Sequence, residues 1–60
     1  MTKKQMKADA ERLIKEGSFN GESGNETWKH RWYVLNGFLN CISYKNGKLE
    51  EVRSYGKIAA

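Results

Sequence analysis

Two Asn-Gly pairs, Asn36-Gly37 and Asn46-Gly47, constrain the fold of this 60-residue chain more than any other feature. A two-residue type I′ turn needs a positive φ at both central residues, and asparagine followed by glycine tolerates this best. Runs rich in β-branched and aromatic residues flank both pairs. The sequence therefore predicts a three-stranded antiparallel meander with strands over about 28–35, 38–45 and 48–55. Gly56 is expected to end or bulge the last strand, and residues 57–60 to form a short tail.

A helix is predicted before the meander, over about residues 3–16. Thr2 and Gln5 have the spacing of a capping box, in which the Thr2 hydroxyl accepts from an amide three residues on. Apolar residues then recur on one helical face, namely Met6, Ala10, Leu13 and Ile14. Gly17 is expected to take a positive φ and end the helix.

The segment between helix and meander, 17–27, is rich in glycine, asparagine and serine. This composition favours a flexible loop, with Phe19 as its only bulky apolar anchor. The predicted fold is a single domain of the α+β class, with one N-terminal helix packed on a three-stranded antiparallel meander.

Charge and cysteine content limit the setting and the partners. The single cysteine, Cys41, cannot form an internal disulfide, and no apolar run is long enough to span a membrane. We therefore expect a cytoplasmic protein that does not depend on a membrane. The formal net charge of +4 favours acidic partners, either nucleic acid or an acidic protein. A length of 60 residues also suits an accessory protein of a phage or mobile element.

A two-residue turn fixes strand register, so the two faces of the sheet can be predicted. One face collects Trp28, Trp32, Val34, Leu39, Cys41 and Val52, with a polar row of His30, Ser43 and Glu50. This face is predicted to lie under the helix. The opposite face would stay open and would carry the candidate binding residues, which are Lys29, Arg31, Tyr33, Phe38, Tyr44, Arg53 and Tyr55.

Aromatic residues interleaved with basic ones on an open sheet are typical of single-stranded nucleic-acid binders. Under this hypothesis Tyr33 and Tyr44 stack on bases, and the basic side chains Lys29, Arg31 and Arg53 contact phosphates. The same face is equally compatible with a homodimer interface or with an inhibitor or adaptor that docks on another protein. A solvated face without a partner is the remaining alternative.

Catalysis, cofactors and metals are not expected. A catalytic triad needs histidine between the hydroxyl and the carboxylate, but Ser43 lies between His30 and Glu50 in the predicted row. Cys41 and His30 are too few to ligate a metal. The glycines before the meander also lack the context of a phosphate-binding loop.

Four segments of the chain form a recognisable series, namely Lys15-Glu16-Gly17, the run from Trp28 through Leu35, Tyr44-Lys45, and Gly56-Lys57-Ile58. Together they span about 44 residues and resemble the first half of a pleckstrin-homology domain. The resemblance implies a first strand at Lys15-Glu16-Gly17. It also implies that anionic lipid headgroups bind at Lys15, Lys29 and Arg31, which match the family's basic positions.

Overall fold

The computed structural model describes residues 2–57, which form one helix and one antiparallel sheet of four strands. The predicted α+β class is confirmed, but the sheet has four strands and not three. The elements, in chain order, are α1 (Lys3–Glu16), β1 (Ser18–Gly24), β2 (Trp28–Leu35), β3 (Phe38–Lys45) and β4 (Lys48–Lys57). The strands lie in the sheet in that same order, so the sheet is a continuous meander. Residues 58–60, most of the predicted tail and the isoleucine of the Gly56-Lys57-Ile58 motif, lie outside the described residues.

The helix begins where the capping pattern predicts, because the Thr2 hydroxyl accepts a hydrogen bond of 3.1 Å from the Gln5 amide. It ends at Glu16, so the residues at which the resemblance implies a strand are helical or follow the helix directly. Gly17 has φ −79°, so the predicted positive φ is wrong. A Cβ atom at Gly17 would lie 2.6 Å from the Leu13 carbonyl oxygen. Glycine is needed here because the chain leaves the helix and enters β1 in close contact with the last turn.

The segment predicted as a flexible loop contains the edge strand β1. This strand pairs with β2 through its backbone, and a bulge lies between Phe19 and Gly21. Most of its side chains are exposed, so its sequence shows no alternation of apolar and polar residues. The turn that follows is held by Asn25, whose side chain accepts hydrogen bonds from the amides of Thr27 and Trp28 at 2.9 and 2.8 Å.

Both Asn-Gly turns are confirmed, with φ of 54° and 79° at Asn36 and Gly37 and of 53° and 78° at Asn46 and Gly47. Strands β2 and β3 occupy the predicted residues. The last strand departs from regular register twice, once opposite the Ser43–Tyr44 step and once near its end. The second irregularity is the predicted bulge at Gly56, which has φ 93°.

The first irregularity in β4 changes the faces of the sheet. Tyr44 pairs with Leu49 and Ser43 pairs with Glu51, so Glu50 is an extra residue that pairs with neither. From Glu51 onward, each β4 side chain therefore lies on the face opposite to the one predicted. Val52 moves beside Ile42, while Arg53 and Tyr55 move to the face that carries the tryptophans.

The helix packs on the face of Tyr33 and Ile42, so the prediction that it covers the tryptophan face is wrong. Ala10, Leu13, Tyr33 and Ile42 form the buried cluster, and Leu35, Tyr44, Leu49 and Val52 pack around it. Once Val52 has joined this face, the face holds four branched aliphatic residues. The other face keeps only Val34 and Leu39, so the helix buries more aliphatic surface where it lies.

Candidate functional site

The sheet face opposite the helix, here called the open face, is covered by no other element among residues 2–57. Alternation along the strands and the observed register define its residues. They are Ser18 and Ser23 from β1, Trp28, His30, Trp32 and Val34 from β2, Leu39, Cys41, Ser43 and Lys45 from β3, and Lys48, Glu51, Arg53 and Tyr55 from β4. All aromatic and charged residues of the open face therefore come from the two Asn-Gly hairpins.

Four rings lie on the open face in two pairs. Trp28 and His30 are stacked, with centroids 5.9 Å apart and planes inclined by 8°. Trp32 and Tyr55 contact each other across the sheet, with centroids 5.3 Å apart and planes inclined by 50°. The Lys45 ammonium lies 5.5 Å from the centroid of the Trp28 ring, within the range of a cation–π interaction. Both indole side chains are only half-buried.

Small polar side chains lie between the two ring pairs. Ser43 Oγ lies 2.8 Å from His30 Nδ1 and 3.8 Å from Cys41 Sγ. Cys41 is only 2% exposed although no element covers the face, because it lies in a row between the larger side chains of Trp32 and Arg53. Ser43 is likewise only 8% exposed, so these two small side chains are buried among the larger ones around them.

The charged groups of the open face are Lys45, Lys48, Arg53 and Glu51. Arg53 Nε donates a hydrogen bond to the Glu51 carboxylate. This bond and the charge of the carboxylate raise the pKa of the Arg53 guanidinium, with a smaller contribution from Tyr55. Arg53 is 62% and Glu51 45% exposed, so solvent screens the ion pair and makes it weak.

The seven predicted site residues do not share one surface. Arg53 and Tyr55 lie on the open face, next to the tryptophans. Tyr33 is only 5% exposed beneath the helix, and its ring packs edge-on against Phe19 at 5.7 Å. Tyr44 is half-buried beside the same core. The prediction that these tyrosines form an exposed stacking surface is therefore wrong.

The remaining predicted residues are accessible but lie on the helix side of the sheet. Lys29 is exposed on β2, and Arg31 forms an ion pair of 3.4 Å with Glu22. Phe38 is 45% exposed at the start of β3. Lys15, the third basic position implied by the pleckstrin-homology resemblance, lies in the last helical turn. Of these basic residues, Arg31 is already paired with the carboxylate of Glu22.

Sequence reasoning missed Trp28, His30, Trp32 and Lys45 as candidate binding residues. One signal could have identified them. Leu49 and Val52 are three residues apart, so regular alternation would place these two apolar side chains on opposite faces of an edge strand. An extra residue between them puts both on one face, which predicts the bulge and the aliphatic face that the helix covers.

No group of metal-ligating side chains occurs within the described part of the chain. Residues 2–57 also include no helix long and apolar enough to cross a membrane. No protein-family model, curated protein or solved structure matches this chain. Its function must therefore be inferred from the side chains of the open face.

Proposed function

We propose that the protein is a non-enzymatic binding module that holds single-stranded nucleic acid on the open face. The observation that carries this proposal is the Lys45 ammonium beside the half-buried Trp28 ring, with the other three rings on the same uncovered surface. Bases stack on aromatic rings without regard to sequence, and cations beside the rings meet the phosphates between the bases.

The spacing of the rings suits an extended strand. Trp28, His30 and Trp32 alternate along β2, so their Cα atoms are about 7 Å apart. This is about twice the rise of one base in a stacked helix, so a strand that follows β2 would spread its bases along the row of rings and not insert one between Trp28 and His30, which already stack on each other. Each stacked base contributes about 1–3 kcal/mol, so two or three bases give weak to moderate affinity.

Three cations on the open face set the expected salt dependence. Each phosphate neutralised on a single strand contributes a slope of about −0.7 to the plot of log affinity against log salt. Lys45, Lys48 and Arg53 together therefore predict a slope of about −2.1. A steeper slope would require basic residues of the helix side to take part.

The test is a salt titration of binding to a random single-stranded oligonucleotide, measured by anisotropy of the labelled oligonucleotide. Lys45→Gln should weaken binding and reduce the slope by about 0.7. Lys29→Gln is the matched control, because it makes the same change on the helix side and should alter both quantities little. Likewise Trp28→Leu should weaken binding more than Phe38→Leu, because Trp28 lies on the open face and Phe38 lies on the helix side. Absence of binding at low salt, or equal effects of the two lysine variants, would refute the proposal.

A second candidate function is self-association through the apolar end of the open face. Val34 and Leu39 lie opposite each other there, close to the pair formed by Trp32 and Tyr55. A chain of this size has no further element among its described residues to cover them, and a second copy could bury both patches symmetrically. Sedimentation equilibrium decides this case. A dimer that Leu39→Lys converts to a monomer supports it, whereas a monomer at high micromolar concentration refutes it.

A further inference from the structure

A groove separates the helix from the β3–β4 hairpin, on the side of the sheet that the proposed nucleic-acid site does not use. It is open to solvent along its length and has a volume of about 390 Å³, within the range of pockets that hold small molecules. Its helix wall consists of Met6, Ala10 and Ile14, which recur every four residues and so form one stripe along the axis. Tyr44 and Leu49 form the sheet wall. From Met6 to Ile14 the apolar stripe is about 12 Å long.

The charged side chains along the rim of this groove are positive at one end and negative toward the other. Lys3, Lys7 and Glu11 form a second stripe beside the apolar one, also with a spacing of four residues. The two lysines lie in the first turns of the helix, and the carboxylate lies nearer the end of the apolar stripe at Ile14. One end of the groove therefore attracts an anion, and the other end repels it.

Tyr44 adds a polar group to the apolar wall. Burial raises the pKa of its phenol, and the neighbouring Tyr33 raises it further, against a smaller opposing effect of Arg31. The hydroxyl accordingly keeps its proton at neutral pH and can donate a hydrogen bond. The sheet wall thus combines an aromatic ring and Leu49 with one donor.

A second groove lies on the other side of the helix. It lacks the separation of positive and negative charge along an apolar wall, so this separation is not a general property of the helix surface. It is bordered by Asp9 and Arg12, whose charges cancel, and its sheet wall includes the polar side chains of Asn40 and Ser54. An amphipathic anion would find no distinct charged end there. The charge pattern that fits such a ligand is confined to the groove of Lys3 and Lys7.

We infer that the groove between α1 and the β3–β4 hairpin binds a monomeric single-chain amphiphile with an anionic headgroup, such as a fatty acid. The carboxylate lies between Lys3 and Lys7. The aliphatic chain runs along Met6, Ala10 and Ile14 toward Glu11, where an apolar end is tolerated and an anion is not. This site is independent of the nucleic-acid proposal, because none of its residues lies on the open face.

The test uses dodecanoate below its micellar concentration, with calorimetry for affinity and amide NMR shifts for location. We expect one saturable site, shifts concentrated at Met6, Ile14 and Leu49, and weaker binding of dodecanol, which has the same chain without the charge. The double variant Lys3→Glu/Lys7→Glu should bind dodecanoate about tenfold more weakly.

Matched controls separate this site from a general charge effect and from the open face. Lys4→Glu/Lys15→Glu makes the same change in net charge outside the groove and should keep nearly full affinity. Trp28→Leu should leave dodecanoate binding unchanged. Ile14→Gln, at a position that is already 49% exposed, should weaken binding several-fold without loss of the fold.

Three results would overturn the inference. One is equal affinity for dodecanoate and dodecanol, and another is an equal loss in the two double variants. The third is binding to anionic phospholipid vesicles without binding of monomeric dodecanoate, which would point to a membrane surface as the source of the anion.

Discussion

Removal of methyl groups from Ile42 should test which face of the sheet the helix covers. Ile42 is 0% exposed and lies at the centre of the buried cluster with Leu13 and Tyr33. Ile42→Ala removes three carbons, at about 0.8 kcal/mol each for transfer to water, which gives about 2.4 kcal/mol. The cavity left behind raises the expected cost to about 3–4 kcal/mol. A domain of this size has a total stability of only about 3–5 kcal/mol, so Ile42→Ala should be largely unfolded.

Ile42→Val gives a change that can be measured with the fold retained. It should lower the free energy of unfolding by about 1 kcal/mol and the urea midpoint by about 1 M. Tryptophan fluorescence reports the transition, because Trp28 and Trp32 are half-buried on the open face. Ile14→Val is the matched control. It makes the same chemical change at a side chain that is 49% exposed and should cost less than about 0.5 kcal/mol. Equal costs for the two variants would refute the assignment of the buried face.

Three further predictions follow from particular contacts. Gly17→Ala should lower the melting temperature by at least about 5 °C, because its Cβ would clash with the Leu13 carbonyl oxygen; thermal denaturation followed by circular dichroism checks this. Cys41 is 2% exposed, so a thiol reagent should modify it far more slowly in the native protein than in urea. Burial raises the folded-state pKa of Tyr44 above the ordinary value of 10.0, so the unfolded chain loses that proton first as pH rises. Stability should therefore fall above pH 10, and unfolding curves between pH 9 and 11 should show a smaller fall for Tyr44→Phe.

The features that could be predicted from the sequence are those that local chemistry determines. The Thr2 cap depends on one hydroxyl and one amide three residues away. Each Asn-Gly turn depends on two residues that tolerate a positive φ, and it sets the pairing of the residues next to it, such as Leu35 with Phe38. The predictions fail where the structure depends on contacts between residues that are far apart in the sequence.

Strand β1 could not be predicted from local patterns, and only the spacing of Leu49 and Val52 indicates the β4 bulge. β1 is an edge strand that contributes mainly backbone hydrogen bonds, so polar residues and glycines suffice and no alternation appears. The extra residue Glu50 is compatible with either register until the packing of Val52 on the helix side is considered. A shift of one residue in register moves every later side chain of the strand to the other face of the sheet. This explains why Arg53 was wrongly predicted to share a face with Tyr33.

The helix covers the sheet face whose removal from water costs less free energy. A helix over the tryptophans would cover Arg53 and Glu51, which are 62% and 45% exposed, and burial of such charged groups away from water is costly. A helix over Ile42 and Val52 buries aliphatic side chains. The face left outside thus combines rings with charged groups that remain in contact with water. Surfaces that combine polar and aromatic groups in this way serve a partner better than a core, which is why the open face is the stronger candidate for binding.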